Sequence, residues 1–223
     1  MKIERYVQDE VMKYPVGEPI FVRDIIVAVS KCVGISVGKA RFNVNVAMGR
    51  LVKGGKVLIK RFRNGIYYRY EKCVFGDTVI HKESLLFRKY LDGYIGYEIG
   101  PRVLHGLGLT TLLANSPRVF VSNAAIARSF KDKDLSVTVL KPKVVLNQNN
   151  FRYFQLLDVI KLTGEILIDN HEPLRVFERF FCYYKLDYGT LFFYAVKFFD
   201  KAVVDVVCSL FERCKGVDLY VST

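Results

Sequence analysis

Between Asp24 and Glu71 the chain contains no acidic residue and ten basic ones: Lys31, Lys39, Arg41, Arg50, Lys53, Lys56, Lys60, Arg61, Arg63 and Arg69. Ordinary surfaces intersperse both signs, so a run purged of one sign over this length reads as an anion-binding face rather than a merely solvated one. The chemistry on offer is recognition of phosphates and bases. Asn43, Asn45 and Asn64 lie among the cations; amide side chains bond adenine edges, while lysine and arginine reach guanine or phosphate oxygens. Phe42 and Val46 would meet a thymine methyl if exposed, the competing use of such side chains being a core or dimer contact.

No comparable set exists elsewhere. His81, His105 and His171 are dispersed, and no HExxH or CxxC spacing joins them to other ligands. A GxSxG elbow and a P-loop are both absent from the sequence. Asp158, Glu165 and Asp169 are not paired by local spacing. Gly106-Leu107-Gly108 closes a glycine-rich tract but does not sit between strand and helix of a βαβ unit, so turn geometry and close packing are the expected uses. Cys208 and Cys214 stand six apart on one apolar stretch, which puts them on different helix faces and predicts core thiols. No catalytic residue, metal or cofactor is expected, and the chain reads as a binding protein rather than an enzyme.

Composition agrees with that reading. The 223 residues are 51% hydrophobic, 14% aromatic and 25% charged, enough apolar material for one generous domain or two small ones. A net charge of +12 points to a polyanionic partner, nucleic acid or an anionic membrane. Residues 1–72 concentrate the excess, with 15 basic residues against six acidic. Five cysteines without a short repeated spacing predict free thiols in a reducing compartment. Charges in Met1–Tyr6 replace the apolar run of a secretory signal, and Asp187, Lys197, Asp200, Lys201 and Asp205 interrupt the greasiest stretch, Leu186–Phe211. A soluble cytoplasmic protein is expected. Membrane attachment is disfavoured, because the first amphipathic segment carries Glu4, Asp9 and Glu10.

The elements that must position the basic residues follow from periodicity and punctuation. Ile3–Tyr14 has helical spacing and is ended by Pro15 and Gly17. Pro19–Phe21 reads as extended, Val22–Val33 as a second helix closed by Gly34, and Ser36 caps a third that runs to Lys53 and stops at Gly54-Gly55. Two β-prone runs, Lys56–Phe62 and Ile66–Tyr70, flank Arg63-Asn64-Gly65, a strong hairpin signal. Three helices followed by a basic hairpin is the order of a winged helix-turn-helix. At 100° per residue, Val37, Ala40, Val44, Ala47, Met48 and Leu51 form the packing face of the third helix. Lys39, Phe42, Asn43, Val46, Arg50 and Lys53 fall opposite, with Arg41 and Asn45 on the flanks; Lys60, Arg61, Arg63 and Asn64 occupy the wing.

Glu71–Lys82 reads as a connector. Beyond it, helices are predicted over Glu83–Leu91, Tyr97–Leu107, Phe151–Leu162, Glu172–Tyr184 and Thr190–Arg213, and strands over Arg118–Ser122 and Leu135–Leu140. The fold class is therefore α+β, with a winged helix-turn-helix at 1–72 followed by a mixed α+β domain at 77–223.

The run Asn45-Val46-Ala47-Met48-Gly49-Arg50-Leu51-Val52-Lys53-Gly54-Gly55-Lys56-Val57, followed by Gly65-Ile66-Tyr67-Tyr68, resembles the start of AbiEi-type antitoxins. The blocks Gly93–Tyr97, Leu107–Thr111 and Phe154–Asp158 are similar to, and in the same order as, those of that family's second domain. The resemblance covers roughly residues 1–180. The chain departs from it at Leu112–Pro117, where relatives carry Gln and Val-Pro after the Thr-Thr pair. The resemblance implies an antitoxin of a type IV toxin–antitoxin, abortive-infection system. Such a protein binds inverted repeats of double-stranded DNA in its own promoter, in two copies, and represses it. Its second domain counters a cognate nucleotidyltransferase toxin. The family's DNA-facing cations correspond to Lys39, Arg50, Lys53, Lys60, Arg61 and Arg63. Two alternatives remain: a nucleic-acid-handling enzyme that uses the basic segment to hold its substrate, and an RNA-binding interaction module that uses Tyr67, Tyr68 and Tyr70 as a stacking platform.

Overall fold

The computed structural model describes residues 3–55, 57–111 and 117–218. Lys56, the Leu112–Ser116 part of the departure from the AbiEi pattern and the Cys214 side chain lie outside the described residues. The chain is mixed α+β and divides into two compact units, Met1–Phe87 and Arg88–Thr223; residues 73–87 belong with the first.

In the first unit, α1 (Ile3–Met12) buries Val7 and Val11, one turn apart, and β1 (Pro19–Phe21) is buried throughout. α2 (Val22–Val33) ends where Gly34, at φ 67°, takes the left-handed position that a side chain resists. α3 (Val37–Gly54) starts where the Ser36 hydroxyl accepts the Lys39 N–H at 3.4 Å and stops at Gly55, φ 65°. β2 (Ile59–Arg63) and β3 (Ile66–Arg69) form the expected hairpin, turning on Asn64-Gly65 with Gly65 at φ 74°. β3 is central in an antiparallel sheet of order β1-β3-β2, and a bulge at Phe62 shifts the register between Arg61 and Arg63. One core joins the three helices to this sheet through Val44, Met48, Ile20, Ile59 and Tyr67. Arg69 is spent on the fold: its guanidinium donates to the carbonyls of Met12 (3.2 Å) and Tyr14 (2.8 Å), tying the end of α1 to the sheet.

The connector contains a second hairpin that its sequence does not announce, β4 (Lys72–Cys73) and β5 (Gly76–Asp77), with Val74 and Phe75 exposed at the tip. The helix expected over Glu83–Leu91 is α4 (Lys82–Leu86) followed by a π-helical stretch, Phe87–Leu91.

The second unit is built on a four-stranded sheet of order β6-β7-β9-β8: β6 (Gly96–Ile99), β7 (Arg118–Ser122), β8 (Phe130–Asp132) and β9 (Val137–Leu140). β7 runs parallel to β9 and the other pairs are antiparallel. Two expectations are corrected here. Tyr97–Leu107 is not one helix but β6 and the short α5 (Pro101–Gly106); Gly100 at φ 104° turns the chain, and Pro101, lacking an N–H, opens the helix rather than continuing one. Thr190–Arg213 is two helices, α8 (Tyr188–Phe198) and α9 (Lys201–Asp218), because the Asp200 carboxylate accepts the Val203 N–H at 3.1 Å and starts a new helix. β8 has no counterpart among the predicted strands, and β9 begins only at Val137, after Ser136 at φ 53°. α6 (Phe151–Thr163) packs with α7 (Pro173–Tyr183), α8 and α9 around Leu157, Phe177, Leu191 and Val207.

Candidate nucleic-acid interface

α3 separates its residues cleanly. Ala40, Val44, Ala47, Met48 and Leu51 are buried against α1, α2 and the sheet. The exposed side brings together Lys39, Phe42, Val46, Arg50 and Lys53, with Arg41 and Asn45 exposed on its flank and Asn43 half-buried at its edge. Phe42 is 71% exposed and Val46 38%, so neither is a core residue of this chain. Val37, expected in the packing face, is instead 53% exposed. It sits in the opening turn, ahead of Ala40, where the packed stripe begins.

The side chains of Lys39, Arg41 and Lys53 have no ion-pair or hydrogen-bond partner among the described residues. Arg50 is held differently. It donates from Nη1 to Glu4 of α1 at 3.1 Å, an exposed pair that fixes where the guanidinium sits.

The wing cations are likewise supported from below. Lys60 Nζ donates to Asp77 of β5 at 2.5 Å and lies 4.5 Å from the centre of the Tyr70 ring, and its bond to Asp77 raises its pKa above the ordinary lysine value. Arg61 Nη2 donates to Asn64 Oδ1 at 2.8 Å, which makes Asn64 a support for the arginine as well as a turn residue. The Arg63 guanidinium lies 5.8 Å from the Phe62 ring centre. Tyr67 and Tyr68 of β3 and the following Tyr70 do not share one face. Tyr67 opposes Arg61 and is buried in the core, whereas Tyr68 opposes Lys60 on the other side. Sequence reasoning missed Glu4, Asp77 and Tyr70 as positioning residues; the two carboxylates lie 46 and 17 residues from their cations, beyond any local pattern.

The other chemistry-bearing residues are dispersed. His81 Nδ1 lies 2.9 Å from Glu18 Oε1, and Asp169 holds the Thr111 hydroxyl and N–H. Asp158 accepts the Tyr97 hydroxyl at 2.5 Å. Among the described residues no group of three or more His, Cys, Asp or Glu side chains is placed to hold a metal ion, and no helix is long and apolar enough to cross a membrane. Cys32, Cys73, Cys182 and Cys208 are free thiols, and Cys208 is half-buried rather than in the core. No family model, no curated protein and no solved structure matches this chain.

Proposed function

We propose that Met1–Phe87 is a winged helix-turn-helix that reads duplex DNA, and that the whole chain is a transcriptional repressor acting as the antitoxin of a type IV toxin–antitoxin pair. The observation that carries the DNA reading is the exposed side of α3, where four cations, an asparagine and two apolar side chains occur with no acid of the helix itself. At 18 residues α3 is about 27 Å long and, with side chains, about 10–12 Å across, the dimensions a major groove about 12 Å wide admits. Phosphates are contacted by Lys39 and Arg41 near its start and by Lys53 near its end, and bases by Asn45, Phe42 and Val46 between them. The β2–β3 hairpin, with Lys60, Arg61 and Arg63 braced by Asp77, Asn64 and Phe62, follows the adjacent backbone. The face of α3 is a continuous reading surface, and two copies on an inverted repeat would present it twice.

The antitoxin part of the proposal rests on the resemblance of the blocks at 45–68, 93–97, 107–111 and 154–158 to AbiEi-type proteins. It assigns neutralisation of a nucleotidyltransferase toxin to the second unit. The test is a gel shift with the DNA upstream of the protein's own gene, against scrambled duplex and RNA of equal length. Preferential binding of the upstream duplex is expected. Equal or tighter binding of RNA would replace this reading with an RNA-binding one.

A further inference from the structure

The second unit contains a cavity of about 380 Å³ between α6 and the sheet face that carries Ile99, Val119, Val121 and Leu140. This volume lies within the range of small-molecule sites. Its walls are branched aliphatic: Val119, Val121 and Leu140 from the strands, Leu162 from the helix. Such opposed walls accept a flat ring.

The polar groups are few and of two kinds. Lys141, Lys143 and Lys161 are exposed at the periphery and supply positive charge; Lys161 also pairs with Glu165 at 3.5 Å. Asp158 is the more enclosed group. Its Oδ2 is occupied by the buried Tyr97 hydroxyl at 2.5 Å, whereas Oδ1 has no hydrogen-bond partner among the described residues. This oxygen is not sealed from solvent, and it is open to accept from a ligand donor in the cavity. Burial pushes the Asp158 carboxyl up from its ordinary value, while the Tyr97 hydroxyl, Lys143 and Lys161 act the other way.

We propose that this cavity binds a nucleoside monophosphate, the base lying between the aliphatic walls with its exocyclic amino group donating to Asp158, and the phosphate at the lysines. The arrangement separates the two recognitions. The lysines select for an anionic group on any base, and Asp158, more enclosed than the exposed Glu165, favours adenine, cytosine and guanine, whose exocyclic amino groups can donate to it, over uracil, which offers only its ring N3–H.

Titration calorimetry of the full chain with AMP, CMP, GMP and UMP, at mildly alkaline pH, tests this, with adenosine and inorganic phosphate as separate ligands. Saturable binding of at least one amino-bearing nucleotide is expected, with UMP and adenosine each about tenfold weaker than the best. The variant K143E/K161E changes exposed residues only and is expected to lose the binding. Asp158→Asn keeps an oxygen for Tyr97 and presents an amide donor in place of the acceptor, so the base ranking is expected to shift towards UMP. No saturable binding of any nucleotide at millimolar concentration overturns the proposal. So does inorganic phosphate binding as tightly as the nucleotides, or a ranking unchanged in Asp158→Asn. None of these outcomes bears on duplex binding by the first unit.

Discussion

Replacing Lys39, Arg41 and Lys53 together by alanine isolates the electrostatic share of the proposed DNA contact. The three side chains are exposed and without ion-pair partners among the described residues, so their loss removes no contact of the fold. Each change should therefore alter stability by no more than about 0.5 kcal/mol. On duplex DNA each phosphate contact releases counterions and contributes about 0.9 to the slope of log affinity against log salt; removing three lowers that slope by about 2.7. Between about 50 and 200 mM salt, the affinity of the unaltered protein should consequently fall about 40-fold more than that of the variant. Fluorescence anisotropy of a labelled duplex across that range measures both slopes. The two proteins should differ most at low salt and converge as salt rises. A folded variant with the parental slope would refute the reasoning, because three cations on the exposed side of α3 would then be contacting no phosphate.

Three further outcomes follow from particular positions. Met48→Ala in α3 removes a fully buried side chain and should cost about 2–5 kcal/mol in denaturant unfolding of the first unit; a cost below about 1 kcal/mol would mean that the site collapses around the smaller residue. Asp158, raised above its ordinary 3.8 chiefly by burial, binds its proton more tightly folded than unfolded, so its contribution to stability is present in acid and lost as pH rises through the raised value. Melting of Asp158→Asn, which still accepts from Tyr97, should accordingly gain on the parent as pH rises above the ordinary aspartate range, and parallel pH curves would contradict this. A fragment beginning at Arg88 keeps the second unit's sheet and helical core and should fold, lose duplex binding and still protect cells co-expressing the cognate toxin; a folded fragment without protection would place neutralisation in the intact chain.

The first unit was largely legible because its boundaries are written in local chemistry. Gly34, Ser36, Gly55 and Asn64-Gly65 each stop or start an element through their own backbone preference, and the five buried residues of α3 recur at helical spacing. The second unit was legible only in part, since its choices are made at a distance. Tyr97–Ile99 becomes a strand by pairing with Val119–Val121, about twenty residues on, against a local pattern that also suits a helix. The break between α8 and α9 depends on one capping carboxylate within an apolar run. The cavity beside Asp158 was invisible for the same reason: the hydroxyl that occupies its inner oxygen comes from Tyr97, 61 residues earlier. Within the candidate interface, the cations could be named from sequence, but not the carboxylates that hold Arg50 and Lys60.

The most direct test of the central claim is a dimethyl sulfate footprint on the DNA upstream of the gene, since this reagent reports guanine N7 in the major groove. If α3 reads that groove in two copies, the full chain should protect two blocks of guanines about one helical turn, or a whole multiple of it, apart. Protection should disappear with Phe42→Ala/Asn45→Ala, whose side chains lie exposed on the proposed reading surface. Tight binding of the duplex with every guanine N7 still reactive, or protection unchanged in that variant, would contradict the account.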